Sequence, residues 1–473
     1  MHDLSRTLDP AVTSLGVKSH PSRQSHFSDI VCLDETKAVW LGFRDRFNRK
    51  GKRKIGVGES LRNLALSSWL NILLILIPLA WVAQEGYRWG HQTVFLLGLF
   101  GIIPLARLFD YGGEQMLYYL GKDLGGLVSI TLNNAVEAAL GIILLLKCQL
   151  VLLKSTIVGV VILHLFVPGT AFIVGGARII QQDLHPHVSQ LNRSMLMVGV
   201  LGLLLPTVFF AALNTSFGTT GRTSAAVTDV VRGKMLQLSY GLAVLLLIVY
   251  LCSRLYLHNP PGNDTAFELH LTPNAPEALQ HEADKLEHED PEVNQWVCLV
   301  MLAVCMALLA ITAEWIGNSL DVVLEESNIS EIWLGLVLFP LVSFAGDGAV
   351  ATVYFVRHFF SEPVPPSTLA QAEAIDLSIQ FVLFWMPFFV LVGWFCGRPM
   401  TLLFDLFEVV VLVGSCFLVN YVTADAKTNW AEGAAMVISY FMIALVAWFY
   451  GGQPDARVMS TCGSVASALA ARF

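Results

Sequence analysis

Leu127–Lys147 reads LVSITLNNAVEAALGIILLLK, and the fold of the whole chain turns on it. At about 1.5 Å per residue, a helix of this length crosses a hydrocarbon core. Near its middle stand two amides and an acid, Asn133, Asn134 and Glu137. A carboxylate at that depth costs roughly 2.5–3.5 kcal/mol on insertion scales, and it persists where it faces a protein interior or a water-filled cavity. Glu137 is therefore expected at a functional site.

The rest of the chain suits the same solvent. Hydrophobic residues make up 55% and charged residues 14%, with a mean hydropathy of +0.61. A soluble domain carries about 25% charged residues. The expected fold class is an all-α membrane protein of about eleven transmembrane helices. The net charge of -8 gives no reason to expect nucleic acid. The eight cysteines are scattered without a CxxC pair, so they read as apolar fillers rather than a zinc site or disulfide framework. No phosphate-binding GxxxxGK[ST] loop and no nucleophile–base pair stands out, which argues against an enzyme and against a cofactor. No cleavable signal peptide is visible either, so the first span is expected to direct insertion.

Residues 1–64 read as a disordered tail closing on the basic run Arg44, Arg46, Arg49, Lys50, Lys52, Arg53 and Lys54. The positive-inside rule then places the amino terminus in the cytosol. Apolar runs at 67–84, 93–111, 124–147, 150–178, 194–213 and 234–255 make up a first half, residues 65–255. An acidic stretch, 256–294, is expected as a cytosolic loop. Runs at 295–316, 330–358, 367–395, 402–423 and 432–450 form a second half, 295–451, followed by a short lumenal tail, 452–473.

After the leading span, five spans lie on either side of the acidic loop. An odd number per half inverts the second repeat relative to the first, the architecture of many secondary transporters whose ion sites lie at midplane. The second helix of each repeat carries an acid, Glu137 and Asp347. Lys147 and Arg357 follow them, placed to snorkel to a surface. Pro168 and Pro387 interrupt the next spans, and Gly346 and Gly348 flank Asp347; such breaks are tolerated where they line a cavity. Two carboxylates with the oxygens of Asn133, Asn134 and Gln380, and of the similar candidates Ser343 and Ser378, would suit a hard cation. A carboxylate in low dielectric holds either a proton or a cation, the minimal chemistry of an antiporter. Gln380 reads equally well as an interhelical bond, and His164 as either a proton-coupling group or a satisfied core histidine. Glu314, Asp321, Asp405 and Glu408 fall near span ends and are expected to be solvated.

With these residues in place, the chain from about 68 to 451 resembles the calcium/proton exchanger (CAX) family of the cation/calcium exchanger superfamily. The stretch IIPLARLFDYGGEQMLYYLGKDLGGLVSITLNNAVE is similar to the family's approach to its first repeat. The motif there, of Gly-Asn-Ala-Thr-Glu type, reads Asn133-Asn134-Ala135-Val136-Glu137. AEWIGNSLDVVLEESNISEIWLGLVLFPLV and FLVNYVTADAKTNWAEG resemble the approach to the second repeat and the last two helices. The second motif departs from its Gly-Asn-Ala-Ala-Glu-His type, reading Ser343-Phe344-Ala345-Gly346-Asp347-Gly348. Leu163-His164 replaces a Ser-Asn pair, and Asp376, Leu377 and Ile379 replace small polar neighbours of Gln380.

The resemblance implies a secondary active antiporter moving Ca²⁺, or a related cation, from the cytosol into an acidic lumen against protons by alternating access. It implies a vacuole or another acidic endomembrane, with Glu137 and Asp347 carrying cation and proton and with Asn134 and Gln380 as oxygen donors. The lipid bilayer, the cation and H⁺ would be its partners. The altered second motif leads us to expect weaker or altered ion binding. Two alternatives stay open: an antiporter for Mn²⁺ or a monovalent cation, and a transport-deficient membrane scaffold or regulator.

Overall fold

Apolar runs of spanning length become helices because a bilayer offers backbone N–H and C=O groups no other partners. The computed structural model describes residues 43–44, 46–50, 53–86, 89–176, 182–183, 186–217, 219–220, 223–224, 227–258, 290–327, 329–346, 348, 369–425 and 427–470. Most of the 1–64 tail and of the acidic loop, together with Asp347 and Arg357, lies outside the described residues. Met1–Lys50 is a unit of its own, seen as a short helical turn in which Phe43 stacks on Phe47 with ring centroids 6.1 Å apart.

The second unit, Gly51–Phe473, holds the helices. An amphipathic helix α1 (Val57–Leu66) turns by 92° into α2 (Trp69–Gln84). The first repeat follows as α3 (His91–Leu120), the bent pair α4 (Lys122–Asn133) and α5 (Ala135–Leu146), α6 (Leu150–Gly176), α7 (Pro186–Phe217) and α8 (Asp229–His258). The second comprises α9 (Gln295–Ser327), α10 (Glu331–Gly346), α11 (369–395), α12 (Leu406–Val422) and α13 (Trp430–Trp448). Two short helices, α14 (Pro454–Met459) and α15 (Val465–Ala470), close the chain. Seven of the described helices are long and apolar enough to cross a membrane unaided. The two bent pairs and the shorter α10 and α12 occupy the remaining expected spans. This is a multi-pass helical membrane protein.

Packing follows an inverted two-fold pattern. The first helices of the two repeats, α3 and α9, pack on each other. The third helix of each repeat, α6 or α11, packs against the fourth and fifth helices of the other, α12 and α13 or α7 and α8. The second helices follow suit, α5 meeting α11 and α10 meeting α6. Contact between α6 and α10 is close enough to need glycine on both sides. A β-carbon at Gly159 would collide with the Leu336 carbonyl, and one at Gly335 would stand 2.7 Å from Ser155 Cβ. Accordingly α6 is the most enclosed span, 89% of its apolar window being buried.

One face of the bundle differs from the sequence reading. Cys148, just after α5, is bonded to Cys462 between α14 and α15, with Cα atoms 6.2 Å apart. Cysteines 314 positions apart leave no local pattern, so the reading of all eight as fillers is corrected here. Asp405 and Glu408 are also buried, at 6% and 2% exposure, rather than solvated. The cause is the tail, which folds back over this end of the bundle. Asp405 caps α12 by accepting from Phe407 N (2.9 Å), and it accepts from Tyr450 Oη (2.7 Å) and Gln453 N (2.7 Å). Burial, then the bond to Asp405, raises the pKa of the Tyr450 hydroxyl. Glu408 is hydrogen-bonded to Ser155. Lys154 Nζ spends all three donors on Thr401 Oγ1 (3.0 Å), Leu403 O (2.8 Å) and Ser460 Oγ (2.9 Å). At the opposite end, β1 (Gln182–Asp183) pairs antiparallel with β2 (Lys427–Thr428), tying the two repeats together beyond α6 and α12.

Candidate functional site

The stretch quoted at the outset is not one straight helix. It bends by 54° at Asn134, whose φ of −95° and ψ of 5° leave the helical basin. A new helix therefore begins inside the membrane at Ala135 and carries Glu137 in its first turn. The first N–H groups of a helix have no intrahelical acceptor, and its dipole places partial positive charge there. A carboxylate in that turn is stabilised by the helix end.

Glu137 faces a cavity of about 60 Å³ between the repeats, lined also by Asp110 of α3, Asn133, His164 of α6, Ser343 and Phe344 of α10, and Leu377 of α11. About 10–15 Å³ holds one water, so a few waters or a partly hydrated cation fit. Glu137 is 7% exposed, His164 6% and Ser343 9%, so these three polar side chains are buried at the cavity. Pro168 lies one turn beyond His164 in α6. Having no N–H, it leaves the His164 carbonyl without its helical donor, which adds an oxygen of backbone origin to this region. Among the described residues no three His, Cys, Asp or Glu side chains are grouped to cage a metal. Oxygen donors with retained water describe this cavity better than a transition-metal centre.

Asn134 and Gln380 do not line the cavity; they brace it from behind. Asn134 Nδ2 donates to Gln380 Oε1 at 2.8 Å, while Gln380 Nε2 donates to Thr131 Oγ1 (3.0 Å) and to Tyr250 Oη (3.2 Å). Arg254 extends the chain of contacts, stacking over the Tyr250 ring at 5.0 Å and reaching both Asp376 oxygens at 3.2 Å. Asp376 thus answers a neighbouring arginine and is not among the lining residues. Pro387 sits just after a π turn, Phe381–Trp385, that widens α11 beside this network. Gly348 faces the Phe344 ring, 3.3 Å from where its β-carbon would stand.

Sequence reasoning passed over Asp110. The apolar run suggested a span ending near it, whereas α3 continues to Leu120 and Asp110 is interior. The acid-in-a-span criterion that picked out Glu137 would have found it. Its neighbour Arg107 pairs with it, Nη1 to Oδ2 at 3.4 Å, and lays its stem over Gly346, where the resembled motif has alanine.

Comparison with known proteins agrees with this fold. The family model described as sodium/calcium exchanger protein matches residues 297–449. The vacuolar calcium ion transporter of Schizosaccharomyces pombe is 29% identical, over 82% of this chain and 87% of its own length. That of Cryptococcus neoformans var. grubii is 28% identical, over 85% and 77%. The Ca(2+)/H(+) antiporter of Aphanothece halophytica is 29% identical, over 81% and 97%. Among solved structures, native YfkE superposes with a TM-score of 0.61 at 21% identity, covering 80% of this chain and all of that one, and so shares the fold.

Proposed function

We propose that this chain, which belongs to the calcium/proton exchanger family, is a secondary active antiporter that moves Ca²⁺ or a related cation out of the cytosol into an acidic lumen, in the vacuole, against protons. The observation that carries this reading is Glu137: a buried carboxylate in the first turn of a helix that begins within the span, facing a cavity between two inverted repeats. The carboxylate exchanges a proton for a cation. Asn133, Ser343 and retained water complete the cation's oxygen shell, and the Asn134–Gln380 bond holds the break in register between repeats. Asp347, by its place in the second motif, is the partner acid. Alternating access then consists of the repeats rocking about the midplane, opening the cavity to one side at a time. The basic run before α1 orients the amino terminus to the cytosol, which puts the disulfide-bearing tail in the lumen.

Purified protein in vesicles under an imposed pH gradient tests this. Uptake of Ca²⁺, Mn²⁺ and Na⁺ is measured for wild type and for Glu137→Gln. We expect gradient-driven uptake of at least one cation, lost at least 100-fold in the variant. Equal behaviour of the two proteins for every cation would leave a scaffold or regulator as the reading.

A further inference from the structure

An arginine within a spanning helix costs as much as an acid there, and cation binding has no evident use for a fixed positive charge. Arg107 is such a residue. It lies one turn before Asp110 on α3 and pairs with it, the side chains being only 22% and 14% exposed. Asp110 in turn lines the cavity beside Glu137. On its other side the arginine stem occupies a place made by a missing side chain. A β-carbon at Gly346 would stand 2.8 Å from Arg107 Cγ and 2.9 Å from Cδ. The pair thus spans from the first helix of repeat one to the motif helix of repeat two. A guanidinium keeps its charge at any physiological pH.

We propose that Arg107 is a built-in counter-cation of the transport cavity, offsetting there the charge that Asp110 brings to it. The proposal rests on the reading of this cavity as the transport site. Asp110 contributes a carboxylate, and Arg107 returns one positive charge to the same side of the cavity. A cation arriving beside Glu137 therefore meets about one less negative charge than the two acids alone would present. Coulomb energy is proportional to the charge of the cargo. Any change of one fixed charge near the cavity shifts the free energy of a divalent ion by about twice that of a monovalent ion, so the fold-change for Ca²⁺ is about the square of that for Na⁺. At an effective dielectric of about 20 and any separation up to about 12 Å, one charge is worth at least about tenfold for Na⁺ and about 100-fold for Ca²⁺.

Charge-swap titrations decide the matter. Ca²⁺ and Na⁺ dissociation constants are measured by calorimetry on the purified full chain for wild type, Asp110→Asn, Arg107→Gln and the double variant, with monodisperse elution as the check on folding. Asp110→Asn, which removes one negative charge beside the arginine, is expected to weaken Ca²⁺ at least about 100-fold and Na⁺ at least about tenfold. The double variant removes one charge of each sign and is expected to return both constants to within about threefold of wild type. Where Asp110→Asn fails to fold, Arg107→Gln carries the test, with both ions expected to bind more tightly and Ca²⁺ by about the square of the factor for Na⁺. A double variant whose Ca²⁺/Na⁺ ratio departs from wild type by tenfold or more overturns the proposal. So do equal shifts for the two ions in Asp110→Asn, rescue that does not occur, and a wild type that binds neither ion. Vesicle uptake by wild type separates the two ideas. Uptake with the wrong selectivity pattern refutes the counter-cation alone, and ion binding without uptake refutes the transport reading alone.

Discussion

Replacing Gln380 with Met should loosen the junction between repeats more than any single hydrogen bond would. The side chain is 1% exposed and makes three bonds, at 2.8, 3.0 and 3.2 Å, to Asn134, Thr131 and Tyr250. Interhelical bonds within membranes are worth about 0.6 kcal/mol on average and about 1.7 kcal/mol at most. The Asn134 bond belongs near the top of that range. Both partners are buried, and the only other acceptor for Asn134 Nδ2, Leu377 O, is 3.5 Å away and too long to compensate. We expect Gln380→Met to cost about 2–3 kcal/mol. In a double-mutant cycle with Asn134→Leu, the coupling energy should be about 1–1.5 kcal/mol, with the double variant less destabilised than the sum of the singles. Equilibrium unfolding of the purified protein in mixed micelles, titrated with a denaturing detergent, measures all four corners. A coupling below about 0.4 kcal/mol is within the additivity of independent sites. It would mean that the bond does not hold the helix break in place, and the account of how Glu137 is positioned would fall with it.

Two further tests concern the frame. Peptide mapping without reductant should recover Cys148 joined to Cys462, and Cys148→Ser should cost about 2–4 kcal/mol; alkylation of both thiols in the native protein would contradict the pairing. Gly433→Ala should cost about 1–3 kcal/mol, because its β-carbon would stand 2.5 Å from Gly169 O and 2.7 Å from Phe172 Cβ where α13 crosses α6. Gly414→Ala on α12, with nothing within 4 Å of its β-carbon, is the control and should be neutral or stabilising, so equal thermal midpoints for the two variants would refute the crossing.

What the chain reveals of itself depends on how many residues enforce each feature. The spans were legible because each rests on about twenty residues obeying one solvent, and the start of α6 at Leu150 and the end of α11 at Phe395 fall where expected. The polar side chains of Asn133, Asn134 and Glu137 marked the site, but the 54° bend there was not read from them. Features set by a single distant partner were not legible. The tail that buries Asp405 and Glu408 returns across the bundle, and nothing near residue 405 announces it. Asp110 was hidden by a boundary. The residues after it, YGGEQMLYYL, look polar enough to leave the membrane, yet they continue α3 against α9, with Tyr119 Oη donating to Val293 O at 2.6 Å.

The same contrast separates the architecture from the site. Reciprocal packing of the repeats is spread over whole helix faces, where each atom pair contributes about 0.1–0.2 kcal/mol and no one residue decides the outcome. The cavity has no such redundancy. On the first-repeat side an acid sits in a helix's opening turn, and on the second-repeat side the described lining residues of α10 are Ser343 and Phe344. Substitutions at a few positions can therefore make the chemistry of the two halves unequal while their packing remains two-fold. Glu137 gives the site its acid. Beside it stands the Arg107–Asp110 pair, whose charges any cation there would meet.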